Sequence, residues 1–235
     1  MSARRARIEF GRWTFFIIGV AINSFGIALI TKGALGTSAI SSPAYVLSLH
    51  FPFTLGQGTF VMNTLFIVAQ MLLLRKDFKP FQILQLAVNV VFSAAIDISM
   101  GMLWWLNPQG VIEGLLAVVA GSAILGFGVA VEVAPNVLVV PGEGIVRAIS
   151  IVTHKRLGSV KRVFDCSLVL LAVVFSLTLF GCLRGVGAGT IISAFIVGGF
   201  VNFYNKHVPL IGFIVNLRIH ADELKHKEAA AKIAS

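Results

Sequence analysis

Four carboxylates stand in or beside apolar runs of this chain, and they are the residues best placed to do chemistry there: Asp97, Glu132, Glu143 and Asp165. A carboxyl group held away from water can exchange a proton or hold a cation. Hydroxyl groups gather at Thr37, Ser38, Ser41 and Ser42 within "TKGALGTSAISSPAYVLS". A second soft segment, "VAPNVLVVPGEGIVRAIS", sets Glu143 between Gly142 and Gly144, where backbone can come close to a ligand and a protonating Glu can couple transport to a proton. Asn63 and Asn202 add amides inside apolar runs. No nucleophile–base arrangement accompanies them. His50, His154, His207, His220 and His226 fall in loops, span edges or the tail without metal spacing, so no metal and no cofactor is expected. An enzyme is the weaker reading.

The elements that must position these groups are set by composition. The chain has 235 residues, 57% of them hydrophobic and 12% charged, with a mean hydropathy of +0.92. Soluble domains carry about 25% charged residues. So little polar surface cannot cover a fold in water, and the expected partner is the lipid bilayer. The net charge of +9 sits in short runs between apolar spans, the pattern of membrane orientation and not of nucleic-acid binding.

A spanning helix needs about 20 apolar residues. Six candidates emerge near Trp13–Thr31, Gly56–Leu74, Phe81–Trp105, Val111–Val133, Val163–Cys182 and Ala188–Tyr204. The first lacks a small-residue cleavage site and reads as a retained helix. Trp104 and Trp105 fit an interfacial belt. With six spans, 17 of the 19 Lys and Arg fall on one side, and only Lys32 and Arg184 on the other. Both termini are therefore expected in the cytoplasm. The tail, "VPLIGFIVNL" followed by "HADELKHKEAAAKIAS", reads as an interfacial helix and then a solvated one. Cys166 and Cys182 lie roughly 24 Å apart along one helix, too far to bridge.

The chain repeats itself. Ala21, Ile22, Phe25, Gly26 and Ala28 each recur 102 positions later, as do Gly19, Ser48 and Leu55-Gly56. Asn63 pairs with Asp165 at the same offset, and three further residues bring Asp97 opposite Asn202. Each copy holds three spans, so the second enters the membrane from the opposite side. In such inverted repeats the site lies between the copies and is built by discontinuous helices. The segments 33–43 and 135–144 occupy corresponding positions and are broken by Gly and Pro. Ordinary loops remain the alternative for both.

The pattern of a Gly-rich first span, then "ALGTSAISS" and "LGQGTF", resembles the YczE/YyaS/YitT-type bacterial membrane proteins. "VVPGEG" and "GVGAGTIISAFIVGGF" in the second copy fit the same pattern. The likeness runs up to about Tyr204. Two departures stand out: Ala39-Ile40-Ser41 where the family tends to have Pro and an acidic residue, and Glu143 where it usually has Asp. The resemblance implies an integral protein of the bacterial inner membrane and no particular activity.

The expectation is an all-α polytopic protein of six transmembrane helices, built as two inverted three-helix repeats with broken or re-entrant segments. Residues 1–105 form the first repeat, 106–205 the second, and 206–235 a cytoplasmic tail. The expected function is secondary transport of a small solute, with a channel or a non-transporting partner of another enzyme or complex as alternatives. Thr37, Ser38, Ser41, Ser42, Gly142, Glu143 and Gly144 would line the site. Asn63, Asp97, Asp165 and Asn202 would gate or support it, with Asp97 either paired to Lys32 or reaching outer water near Trp104. Glu132 reads as an interfacial residue closing the fourth span. The sequence leaves the solute's charge open, and a homo-oligomer is compatible with it.

Overall fold

A computed structural model describes residues 3–233. Residues 1–2 and 234–235, the ends of the expected first repeat and tail, lie outside it, as do the side chains of Arg4, Lys227 and Lys232 from the basic set. Among the described residues all regular structure is helical, with nine α-helices: α1 (Ala3–Lys32), α2 (Ser42–Ser48), α3 (Leu55–Leu74), α4 (Gln85–Met102), α5 (Val111–Val133), α6 (Pro141–Thr153), α7 (Leu157–Phe180), α8 (Ala188–His207) and α9 (Pro209–Ile233). Six of the helical segments are long and apolar enough to cross a membrane, and they are the six expected ones.

The ends of the helices follow local chemistry. Helix α1 starts ten residues before Trp13, because Arg12 ties its first turns down: Nη1 meets Glu9 at 3.0 Å, while Nε and Nη2 donate to the Pro135 carbonyl at 3.1 and 2.9 Å. It stops where Ala34 and Gly36 take positive φ, 58° and 116°. A reciprocal capping box opens α3, with Thr54 Oγ1 accepting from the Gln57 N–H and Gln57 Oε1 from the Thr54 N–H, both at 3.1 Å. Pro43 and Pro141 stand in the first turns of α2 and α6. These two helices, 7 and 13 residues long, are too short to span, and both lie largely buried between α3 and α7.

Helices α1 and α5 form the central pair and run antiparallel. Gly19 lies against the backbone of Glu132, Gly26 against that of Leu125, Gly128 against that of Asn23, and Gly121 against that of Ile30. Any larger residue at these points would collide with the facing main chain, so glycine sets the approach. The core beneath draws Phe16, Val20, Ile27 and Ile30 from α1, Val88, Phe92 and Ile96 from α4, and Val118 and Leu125 from α5. Outward faces carry exposed Leu72, Ile112, Val163, Leu170 and Phe195, as lipid requires. Trp104 and Trp105 are 79% and 64% exposed.

Three details differ from the expectation. The tail, expected as two pieces, is one continuous helix. Ile211 and Ile214 pack with Ala130 and Val131, and Arg5 holds Glu228 at 2.7 Å. The fifth span ends at Phe180, so Cys182 lies beyond it, and Cys166 and Cys182 are both free and exposed. The third span, Pro80–Met102, is not α-helical throughout: Pro80–Leu84 forms a 3-10 turn that leads into α4.

Candidate functional site

The two broken segments meet at the middle of the bundle. A Cβ on Gly142 would strike the end of the Ile40 side chain, so the start of α6 packs directly on the turn before α2. Beside this contact lies a cavity of about 390 Å³. Ser38, Ser41, Asn63, Gly142, Glu143, Asp165 and Asn202 from the expected set all line it.

The remaining four expected residues lie elsewhere. Thr37 is fully buried, its hydroxyl 2.6 Å from that of Thr31 and its N–H donating to Thr190 Oγ1 at 3.1 Å. Ser42 is fully buried and donates to the Ala39 carbonyl at 2.7 Å. Gly144 is packed against the Gln70 amide. Asp97 does not pair with Lys32. It accepts from Thr54 Oγ1 at 2.6 Å and from the Gly56 N–H at 2.8 Å, which fastens the end of α4 to the start of α3. A carboxylate at a helix N-terminus answers both the free N–H groups and the dipole, a stronger claim on it than a lysine across a wet recess.

The cavity wall holds charged groups that the sequence reading put at the periphery. Glu132 is 2% exposed and accepts from Asn23 Nδ2 at 2.9 Å. It stands one residue from the end of α5 yet is not exposed there, because α1 at Gly19 and Asn23 lies across it. Lys161, one of the residues counted for orientation, bonds Glu143 at 2.9 Å and Asp165 at 3.3 Å. The i, i+4 spacing of Lys161 and Asp165 was readable in the sequence. The link to Glu143 needs the fold. With Glu143 in the first turn of α6, that helix start already has its anion.

One end of the cavity is shut and the other is not. At the shut end, Leu35 O accepts from the Gly189 N–H at 2.8 Å, and Thr190 receives the Thr37 N–H, so residues 33–37 seal the start of α8. Glycine is required at position 36: its φ is +116°, and a Cβ there would collide with Thr190 Oγ1. At the same end Asp97 binds α3 to α4. Helices α7 and α8 barely touch along their whole length, and away from the 33–37 contact the cavity lining includes the exposed Arg162 and Asn202, where it reaches the surface.

Amide pairs close the equivalent gap between α3 and α4. Asn63 Nδ2 donates to Asn89 Oδ1 at 2.9 Å, and Gln70 and Gln85 exchange two bonds at 3.2 Å. Gln70 also donates to the Pro141 carbonyl at 3.2 Å, holding α6 in place. Ladders of this kind join helices without any hydrophobic drive between them.

Comparison with known proteins agrees with this picture at the level of fold class. A Bacillus subtilis (strain 168) protein described as uncharacterized membrane protein YczE is 25% identical over 212 residues, 89% of this chain and 93% of that one. No solved structure matches. Residues 10–206 match the family of unknown function DUF6198, and with the YczE likeness along most of its length the chain belongs to that family of polytopic membrane proteins.

Proposed function

We infer that the protein is a secondary transporter that moves a small solute by alternating access. The observation that carries this reading is one central cavity, lined from both halves of the chain, that is sealed at one end and open at the other. A pore open at both ends would need no seal at residues 33–37. The basic residues assign the open end to the cytoplasm.

The contacts between α1 and α5 support two inverted repeats beneath this behaviour. Adding 102 to each α1 number and subtracting it from each α5 number turns the Gly19–Glu132 contact into Gly121–Ile30, and Gly26–Leu125 into Gly128–Asn23. Both derived contacts exist. Exchange of this kind is what a two-fold axis in the membrane plane requires. The halves can then swap conformations, which opens the sealed end and seals the open one.

The test uses Cys166→Ser and Cys182→Ser as background and Asn63→Cys in the cavity wall. Membrane-impermeant maleimide is applied to right-side-out and inverted vesicles under pH gradients of either sign. A carrier labels from one side at a time, and the reactive side changes with the gradient. Labelling from both sides at once would make the protein a pore. Labelling from the basic side alone under every gradient would remove transport and leave a role as partner to another protein.

A further inference from the structure

Glu132 is the group that the alternating-access reading leaves without a task. It is 2% exposed in a membrane-crossing helix and faces the cavity. Asn23 and the Val140 backbone N–H are neutral neighbours, and no Lys, Arg or His forms an ion pair with it among the described residues. The titratable groups that act on it most directly are Glu143 from α6 and Lys161 from α7, and Arg162 and Asp165 of α7 line the same cavity. From the other elements packed around it, α1 presents Asn23, α8 contributes Ser193 and Asn202 to the shared cavity, and α9 sets Ile211 and Ile214 against the neighbouring Ala130 and Val131. An ionised carboxylate cannot stay in such a place alone. It must hold either a proton or a cation.

We propose that Glu132 is the binding site of an organic ammonium ion with an apolar body, and that this ion and a proton occupy it in exchange. This deepens the carrier reading at the same cavity by naming the class of solute. Beyond Glu132 the walls are largely apolar, with Ile27, Met62, Phe92, Leu125, Val129 and Val197. The volume of about 390 Å³ is that of about a dozen waters, enough for a small aliphatic or phenyl group. Phe92 is a lone aromatic ring there and makes no cage for a quaternary ammonium. Oxygens of Asn23, Ser38, Ser41 and Asn63 can instead accept from the N–H bonds of a primary or secondary amine.

Other solutes fit worse. Lys161 is matched by Glu143 and Asp165, and Arg162 stands exposed at the cavity mouth, so no unpaired cation is buried beside Glu132 to hold an anion there. Among the described residues no three metal-ligating side chains come together, so a stripped divalent ion would lack ligands. In the exchange the amine arrives already protonated, the Glu132 carboxylic acid releases its proton to water, and the ammonium takes its place. No covalent bond to carbon forms or breaks.

The experiment is calorimetric titration of the intact protein in nanodiscs with butyl-, hexyl- and phenethylammonium. The matched carboxylates pentanoate, heptanoate and phenylpropionate serve as controls. Repeating the titration in buffers of different ionisation enthalpy counts protons. The expected result is saturable binding of the ammonium ions, tighter for hexyl than butyl, with up to one proton released and no binding of the carboxylates. Glu132→Gln, similar in size, should lose at least tenfold in affinity and all proton release while keeping its unfolding temperature near wild type. Should that variant unfold, Asn63→Ala keeps the charge and should weaken the amine while proton release per bound amine persists. Binding of carboxylates in place of amines, amine binding without proton release, or equal binding by a folded Glu132→Gln would each overturn the proposal. The cysteine assay uses no ligand, so this inference and the carrier reading fail separately.

Discussion

A carboxylate in a membrane-crossing helix is costly unless it is partnered, and Asp97 and Glu132 meet that cost differently. Asp97 has two strong donors, the Thr54 hydroxyl at 2.6 Å and the Gly56 N–H at 2.8 Å. Asp97→Ala should therefore lower stability by about 1.5–3 kcal/mol, the range for bonds to a charged group. Asp97→Asn, which keeps one acceptor oxygen, should cost about half as much; the check is unfolding in mixed micelles. If the two substitutions cost the same, the charge at the start of α3 contributes nothing. The sequence showed that Asp97 sat in a span but not what it touched, because the spacing cannot say which helix end folds back beside it. Glu132 was misread for a related reason. The last turn of a span reads as interface until another helix, here α1 at Gly19 and Asn23, is laid across it. Gly36 was legible only as a helix breaker. Its positive φ and the facing Thr190 predict that Gly36→Ala disrupts the 33–37 seal. A cysteine in the cavity should then react with maleimide from the sealed side, where wild-type geometry protects it.

At the level of elements, the sequence carried most of the information about the central pair. The offset of 102 matched Gly19 with Gly121 and Gly26 with Gly128, and these are the glycines that let α1 and α5 touch main chain to main chain. Small residues recur there because closeness, not hydrophobicity, joins helices in lipid. Gly26→Ala and Gly128→Ala should each cost about 1–3 kcal/mol, the usual range for overpacking. Gly11→Ala, on the same helix with open space around its Cβ position, should be neutral or gain up to about 1 kcal/mol from helix propensity. Unfolding titrations of the three variants decide it, and equal effects would mean that α1 and α5 are not held by this contact. What the elements hid was α9. Its composition shifts from apolar to charged midway, so it reads as two pieces. Docking of Ile211 and Ile214 on α5, with the Arg5–Glu228 pair further along, keeps it one helix.

For the whole molecule, the informative feature is where the two halves differ. Asp97 bonds the start of α3 at Gly56, whereas its counterparts in the second half, Asn202 and Gly158, belong to helices that scarcely meet. If the halves exchange conformations, Asn202 should approach Gly158 as Asp97 now approaches Gly56, and the gap between α7 and α8 should close. The pair Gly158→Cys and Asn202→Cys, in a background of Cys166→Ser and Cys182→Ser, tests this. Oxidation should form the disulfide slowly from the open state and faster under a gradient that favours closure. Once formed, it should block maleimide labelling of Asn63→Cys from the basic side and allow it from the other. A disulfide that never forms, or one that leaves the labelled side unchanged, would mean that the asymmetry between the halves is a fixed feature of the fold and not one of two interchangeable states. If that second state exists, the offset of 102 names the residues that must meet in it. It cannot say which half is open now, because the matched glycines and apolar residues are shared by both halves, while the polar side chains that hold α3 to α4 show their partners only in the fold.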